Sequence, residues 1–176
     1  MQYKALGITL TFTSLILGAS TVIAQSNSID PTAFLNGKSR SCQGCDLRGV
    51  DLSNSRRVNA QLRQANLSEA NLSNGYFEGA FFTCANLAKA DLSNAKFPFA
   101  NFVDADLRGA NLQGADLSRT DLSGAIVDQT TVLTDANLEG AKLWDARTIY
   151  QPGIDLSTIE RNAELERQRV RCRSNS

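Results

Sequence analysis

Apolar and polar positions recur along this chain with a period of five residues, and the period is kept for most of its length. The repeats read Ala-Asn-Leu or Ala-Asp-Leu followed by two polar residues, as in residues 65–74 and 105–119. A period of five matches neither the 3.6-residue turn of an α-helix nor the two-residue alternation of a β-strand. A fixed short repeat instead predicts a solenoid, in which each repeat packs only against its neighbours.

Seventeen consecutive pentads share one frame, which runs from Cys45 to Gln129. The central residue of each pentad is Leu, Phe or Val, except at Arg57, and the residue two places before it is small, being Ala in twelve pentads. The other positions are mostly polar. The six residues 130–135 interrupt the frame, which resumes at residue 136 and continues to Tyr150.

A square coil is the arrangement that places both the small and the central residue of every pentad in one interior. If each pentad forms one side, four pentads make a coil of twenty residues, and coils stack about 4.8 Å apart. Residues twenty apart then lie above one another, with phenylalanine on phenylalanine. The predicted interior columns are Leu47, Leu67, Leu87, Leu107, Val127; Leu52, Leu72, Leu92, Leu112; Phe77, Phe97, Leu117; and Leu62, Phe82, Phe102, Leu122.

With these repeats, residues 45–150 resemble the pentapeptide repeat family. The resemblance implies an all-β solenoid, a right-handed quadrilateral β-helix of about five coils, whose small and central residues point inward. We add a short N-terminal cap helix and a C-terminal helix to this expectation. An interior filled with Leu and Phe at the density of protein cores leaves no space for a substrate.

The N-terminal segment 1–24 is predicted to be a signal peptide. Lys4 precedes an apolar run, and Val22-Ile23-Ala24 satisfies the small-residue rule for cleavage before Gln25. An uncleaved membrane anchor is the alternative, because the apolar run is nearly long enough to span a bilayer. After cleavage no stable membrane anchor is expected. The remaining chain divides into a cap (25–44), the β-helix (45–150) and a C-terminal helix with tail (151–176).

The N-terminal cap is predicted to contain a short helix that covers the open end of the first coil. Asp30 is expected at the N-cap, Pro31 in the first turn and Gly37 as the stop. Phe34 and Leu35 are expected to plug the coil. At the other end, Ser157-Thr-Ile-Glu160 resembles a capping box and predicts a helix to about residue 171, with a frayed tail as the alternative.

Two irregularities interrupt the repeat. Arg57 occupies a central position, where an unpaired charge would be very costly, so we expect this side to bulge, with Val58 turning inward and the arginines facing water. The extra residue in 130–135 requires Val132 or Leu133 to fill the column. Leu138 and Leu143 are then expected to continue the columns at a spacing of twenty-one.

Four cysteines in an exported chain indicate disulfides before anything else. Cys42 and Cys45 form a Cys-x-x-Cys unit at the junction of cap and first coil, and we predict a local disulfide between them. The pairing of Cys84 and Cys172 stays open. A thiol-disulfide exchanger is the alternative reading of Cys42 and Cys45, although such motifs usually begin a helix, and two sulfurs without further ligands rarely hold zinc.

The sequence contains no recognisable set of catalytic residues. The chain has no histidine, which excludes Ser-His-Asp and Cys-His arrangements. The many aspartates alternate with asparagines at the position before the central Leu, so we interpret them as structural. We predict that the protein is not an enzyme and has no catalytic residues, no cofactor and no metal site.

Binding through the outside of the rod is therefore the predicted function. Tyr76, Phe81, Phe99 and Val103 break the polar pattern at outward positions. The coil register places Phe99 above Gly79 and near Phe81, which predicts an exposed apolar patch at one corner. Such patches often mark partner sites. The predicted partner is another protein or a second copy of the chain.

The charge of the chain is balanced. The chain holds eighteen basic and eighteen acidic residues, and cleavage would leave a net charge near minus one, which does not favour nucleic acid as a partner. A DNA-mimicking, gyrase-interacting role, which the family resemblance brings in, is the alternative that a balanced and exported chain fits poorly. The resemblance also implies an exported cyanobacterial type, located in the periplasm or the thylakoid lumen.

Overall fold

The computed structural model describes residues 30–143. The predicted signal peptide and C-terminal helix lie outside these residues. One helix, α1, spans Thr32–Leu35. From Ser41 onward, the β-structure of residues 30–143 consists of single-residue parallel bridges, the first joining Ser41 to Gln61 and the last joining Asp121 to Lys142.

The bridges confirm the twenty-residue register. Asp46 pairs with Asn66 and Asn66 with Asn86, and the spacing of twenty is kept up to the bridge between Asp106 and Ile126. Since each side uses five residues, a return after twenty requires four sides per coil. We call the bridged residue of each pentad, which directly precedes the central residue, the ladder residue. The ladder begins at Ser41, inside the segment that the sequence analysis assigned to the cap.

Each corner of the coil is a tight turn. The carbonyl of the central residue accepts a hydrogen bond from the small residue three places later, as in Ala70 N to Leu67 O at 3.1 Å. The residue two places after the central one, which we call the corner residue, has a positive φ, for example 54° at Asn94. A turn with positive φ at its third residue favours Gly or Asn, because neither pays the full steric cost of that conformation.

The interior columns are as predicted. Phe77 stacks on Phe97 at 5.3 Å and Phe82 on Phe102 at 4.7 Å, with ring planes inclined by 14° and 6°. Phe97 also meets Phe102 edge to face at 5.3 Å, so the two phenylalanine columns contact each other across the coil. Alternating layers of central and small side chains form one continuous core, against which the partly buried Val50, Val127, Leu133, Ala136 and Leu143 pack.

Hydroxyl side chains that occupy small positions are hydrogen-bonded rather than left unsatisfied. Thr120 donates to Leu117 O at 2.7 Å, and Thr131 donates to Leu107 O at 2.9 Å. Both threonines are almost fully buried. Because a buried hydroxyl is tolerated when it finds a partner, these residues replace Ala without opening the coil.

The extra residue in the 130–135 segment is absorbed at one corner. The next bridge joins Asn111 to Val132, so the spacing becomes twenty-one. Val132 is the ladder residue and is 39% exposed, whereas Leu133 packs against the core. Leu133 therefore fills the column, and Leu138 and Leu143 continue the core as expected.

The predicted bulge at Arg57 is wrong. Its backbone is regular, with Arg57 N bonded to Tyr76 O and Asn59 N to Glu78 O, both at 2.8 Å. The Arg57 side chain does not turn to water: it donates to the carbonyl oxygens of Phe34 and Leu35 and lies 4.7 Å over the Phe34 ring. The charge is tolerated because the last carbonyls of α1 solvate it.

Helix α1 covers the first coil with one side chain rather than two. Phe34 is buried, but Leu35 is 37% exposed, so the prediction that both residues plug the coil is wrong for Leu35. The N-cap residue is Pro31 rather than Asp30, so the predicted N-cap position is wrong by one residue. The Asp30 carboxylate, just before the N-cap, accepts a bond from Thr32 N at 2.8 Å. Gly37, at φ 77°, ends it. Between residues 30 and 143, no helix is long and apolar enough to cross a membrane.

Candidate interaction surface

The four sides of the coil form four faces along the rod, which we number by their central residues in the first coils. The first face carries Leu47 and Leu67, the second Leu52 and Leu72, the third Arg57 and Phe77, and the fourth Leu62 and Phe82. The first and second faces differ in composition from the third and fourth. Nearly all outward aromatic side chains lie on the third and fourth faces or on the corner between them.

The four residues predicted as an interaction patch lie around that corner. Tyr76 is a ladder residue of the third face, Phe81 and Val103 belong to the fourth face, and Phe99 is the corner residue that joins the two. We call these four residues the aromatic corner. Phe99 is 56% exposed, whereas the other three are half-buried, so the exposed apolar surface is concentrated on Phe99.

The aromatic corner is lined with arginines, which the sequence analysis did not connect to it. Each guanidinium lies over the face of one ring, a geometry that is favourable for cation–π attraction. The pairs are Arg56 over Tyr76 at 4.4 Å, Arg63 over Phe81 at 4.1 Å and Arg119 over Phe99 at 5.4 Å. The register could have revealed two of these pairs, because Arg56 precedes Tyr76, and Arg119 follows Phe99, by twenty residues.

The polar edge of the aromatic corner is formed by Tyr76 and Glu78. The Tyr76 hydroxyl donates to the Glu78 carboxylate at 2.6 Å. This bond is the main reason why the pKa of Tyr76 is raised above its ordinary value. The phenol therefore stays protonated and keeps its orientation on the surface.

Phe99 has an unusual backbone as well as an exposed side chain. Its φ is 60°, in the left-handed region, where a bulky side chain is rare. The equivalent corner residue one coil earlier is Gly79, and the one ending the preceding second-face pentad is Asn94. The side chain of Phe99 does not enter the core, so the buried interior does not explain its presence at this position.

The predicted disulfide is present. Cys42 and Cys45 are bonded, with their Cα atoms 5.3 Å apart, and each is 1% exposed. Cys42 occupies a central position, twenty residues before Leu62, and Cys45 occupies the next small position. The bond therefore lies within the core at the start of the rod, and neither cysteine begins a helix. Cys84 is also disulfide-bonded, and Cys172 lies outside the described residues.

A cavity of about 230 Å³ opens between α1 and the third face of the first coil. Its lining includes three arginines, Arg40, Arg56 and Arg57, and the apolar residues Phe34, Val58 and Ala60. Sequence reasoning missed this cavity. The tertiary contact between the cap and Arg57 creates it, and the repeat pattern contains no signal for that contact.

The ladder aspartates act as turn-stabilising residues. Each accepts a bond from the backbone N–H two residues later, as in Ser53 N to Asp51 at 2.9 Å. That bond is the main reason why the pKa of Asp51 is lowered, while at Asp106 the main cause is the bond from Arg108. No group of three or more His, Cys, Asp or Glu side chains able to hold a metal occurs in the described part of the chain.

The repeats match the family model described as pentapeptide repeats, in eight copies over residues 45–83 and 85–124. Among solved structures, a pentapeptide repeat protein (Rfr23) from the cyanobacterium Cyanothece 51142 is 30% identical, with a TM-score of 0.50, and the match covers 65% of this chain and 97% of that protein. The chain belongs to the pentapeptide repeat family.

Other pentapeptide repeat proteins are more distant in structure. One from the Arabidopsis thaliana thylakoid lumen is 31% identical, with a TM-score of 0.42, and the match covers 61% of this chain and 70% of that one. QnrB1, a plasmid-mediated fluoroquinolone resistance protein, is 20% identical, with a TM-score of 0.26 and coverages of 68% and 76%. A comparison with curated proteins found no match.

Pentapeptide repeat proteins are right-handed quadrilateral β-helices, and the twenty-residue ladder of this member agrees with four sides. The family match ends at residue 124, before the inserted residue. The ladder of this pentapeptide repeat protein nevertheless continues to Lys142. The coil therefore extends beyond the segment that the repeat motif identifies.

Proposed function

We propose that this pentapeptide repeat protein is an exported, non-enzymatic scaffold that binds another protein, or a second copy of itself, through the aromatic corner. The observation that carries the proposal is Phe99, an exposed aromatic residue held in a backbone conformation that disfavours it. A left-handed non-glycine residue costs about 1 kcal/mol or more. A contact between the Phe99 ring and a partner would explain why phenylalanine occupies this position despite that cost.

The composition of the aromatic corner suits a protein interface. Aromatic residues and arginine are enriched among the residues that dominate binding energy. Arg56, Arg63 and Arg119 are already stacked on rings, so less side-chain freedom is lost when a partner docks. Tyr76 and Glu78 add a fixed polar contact at the edge.

The charge of the third face supports a protein partner rather than nucleic acid. A DNA-binding surface needs a basic stripe and a DNA mimic needs an acidic one. The outward positions of the third face alternate between the two signs instead. They are Arg56, Lys96 and Arg119 against Glu78, Asp116 and Glu139.

Burial disfavours thiol-disulfide exchange as the function. A catalytic disulfide must meet a substrate thiolate in line, and reactive cysteines are accordingly accessible. Cys42 and Cys45 are each 1% exposed and lie within the core. We therefore assign their bond to holding the end of the rod closed.

Export to the periplasm or thylakoid lumen is the location we propose. The N-terminal sequence with its Val22-Ile23-Ala24 cleavage signal supports it, and so does a structural disulfide between Cys42 and Cys45. An intact mass that begins at Gln25 for the protein isolated from cells is the expected result. A mass that still includes residues 1–24 would contradict it.

The decisive experiment replaces Phe99 with glycine. Phe99→Gly removes the exposed ring and relieves the left-handed strain, so we expect loss of partner capture or self-association together with an increase in stability of about 1 kcal/mol. Chemical cross-linking with affinity capture measures the first effect, and chemical denaturation measures the second.

Asn94→Gly is the matched control, because Asn94 is a corner residue with φ 54° outside the aromatic corner. It should leave association unchanged. If Phe99→Gly and the double variant Phe81→Ser, Phe99→Ser both associate as the original protein does, the aromatic corner is not the binding surface.

A further inference from the structure

The cavity between α1 and the third face lies at the N-terminal end of the rod. We propose that it binds a small oxyanion, that is, a phosphate or carboxylate group. Arginine recognises both groups through paired N–H bonds from its planar guanidinium. Three arginines line this one cavity, Arg40, Arg56 and Arg57, and none of the lining residues is acidic.

The arginines of the cavity form no ion pair with another residue between 30 and 143. The ion pairs found there join Arg48 to Asp46 and Arg108 to Asp106, away from the cavity. The surrounding charge has the same sign. Residues 30–63 contain six basic and three acidic residues, whereas residues 64–143 contain five basic and ten acidic ones. The N-terminal end is therefore the positive pole of the rod and attracts anions.

Arg57 is the group that an anion would stabilise most. Its guanidinium is half-buried beneath α1 and bonded to two carbonyl oxygens, Phe34 O and Leu35 O. Five N–H donors are available on a guanidinium, so further donors remain for a ligand. Burial removes part of the water around this charge and so lowers the pKa of Arg57. An oxyanion beside it would compensate that lost solvation.

The cavity is preorganised and of limited size. Arg56 is held over the Tyr76 ring at 4.4 Å, and Arg57 is fixed by Phe34, so two of the three guanidinium groups are ordered before a ligand arrives. Phe34, Val58 and Ala60 provide an apolar lining that strengthens charge interactions. A volume of about 230 Å³ suits inorganic phosphate or a short carboxylic acid rather than a folded partner.

A titration followed by nitrogen-15 NMR tests the proposal directly. Inorganic phosphate is added to the purified protein at constant ionic strength, and succinate is added in a parallel arm. We expect saturable shifts at the amides of Gly37, Arg40 and Arg57 in at least one arm. The arm that saturates identifies the group that is bound. Arg40→Gln and Arg56→Gln should each raise the dissociation constant about tenfold, since each removes one charged, paired contact.

Arg48→Gln is the matched control, because it removes the same charge from the first coil outside the cavity. If it weakens binding as much as Arg40→Gln, the attraction is a general field effect and the site is refuted. Shifts that fail to saturate in both arms up to about 50 mM, where even a weak specific site would be filled, refute it too. Preserved amide dispersion at Phe77 and Phe97 verifies folding of each variant. Failure here leaves the Phe99→Gly test unaffected.

Discussion

The first two faces of the rod and the last two are built on the same backbone but use their side chains differently. On the first and second faces, where the later ladder residues are Ile126 and Val132, those from Asp46 to Asn111 are aspartate or asparagine, which accept a bond from the N–H two residues later. They are Asp46, Asn66, Asn86 and Asp106, and Asp51, Asn71, Asp91 and Asn111. On the third and fourth faces, the ladder residues before Asn101 are Ser41, Arg56, Gln61, Tyr76, Phe81 and Lys96.

The bridges are nevertheless continuous on all four faces. The side-chain bond at the ladder residue is therefore dispensable, because the backbone bonds between coils hold the turn. That leaves ladder positions free to carry other side chains wherever a surface is needed. Inside the rod, the third and fourth faces hold the stacked phenylalanines, which fix the coil beneath the aromatic corner.

The largest expected effect comes from the phenylalanine columns. Phe97 stacks on Phe77 at 5.3 Å and meets Phe82 and Phe102 edge to face. We expect Phe97→Ala to lower the free energy of unfolding by about 3 to 5 kcal/mol. Leu92→Ala, on the second face, should cost about 1 kcal/mol less, because no aromatic pairs are lost. Urea denaturation of both variants tests the comparison, and equal losses would show that the ring contacts add nothing.

A smaller effect is expected at the start of the third face. Arg57→Met keeps much of the side-chain length but removes the bonds to Phe34 O and Leu35 O. Hydrogen bonds to charged groups contribute about 1.5 to 3 kcal/mol. We therefore expect the stability of the variant to fall by that amount, with the loss concentrated in α1. Hydrogen exchange at the Leu35 and Asn36 amides measures it.

Arg63→Met is the control for Arg57→Met. Arg63 also lies over a ring, that of Phe81, but on the open surface of the fourth face. Its replacement should leave exchange at α1 unchanged. Equal exchange rates at Leu35 in the Arg57→Met variant and the original protein would show that the cap is held by Phe34 alone.

The smallest expected effect tests the aspartate ladder of the first two faces. The pKa of Asp51 is lowered, chiefly by the bond from Ser53 N, so its contribution to stability is complete above the unfolded value of about 3.9 and is lost as pH falls through the folded value. Asp51→Asn keeps the accepting oxygen but does not titrate. The denaturation midpoint of this variant should therefore fall less between about pH 5 and pH 3 than that of the original protein. Parallel pH profiles would contradict this role.

The sequence by itself determined the four-sided register, the interior columns and the disulfide between Cys42 and Cys45. A five-residue repeat leaves few alternatives once each copy must bury one large and one small side chain against its neighbours. The turn residues agree with that pattern, because glycine and asparagine occupy many positions of positive φ. In such a coil the same five-residue repeat sets both the local turns and the contacts between coils. The period of the sequence is therefore enough to identify the core residues.

Only the tertiary structure decided what happens where the period fails. The bulge predicted at Arg57 ignored the carbonyl groups of α1, which lie more than twenty residues earlier in the chain and solvate the charge. The choice of Leu133 over Val132 depended on which corner took up the extra residue. The arginine-lined cavity likewise exists only because the cap packs against the first coil. These contacts join the repeat to the cap or fall where an inserted residue breaks the frame, so no periodicity encodes them, and their energies depend on distance and burial rather than on spacing along the chain.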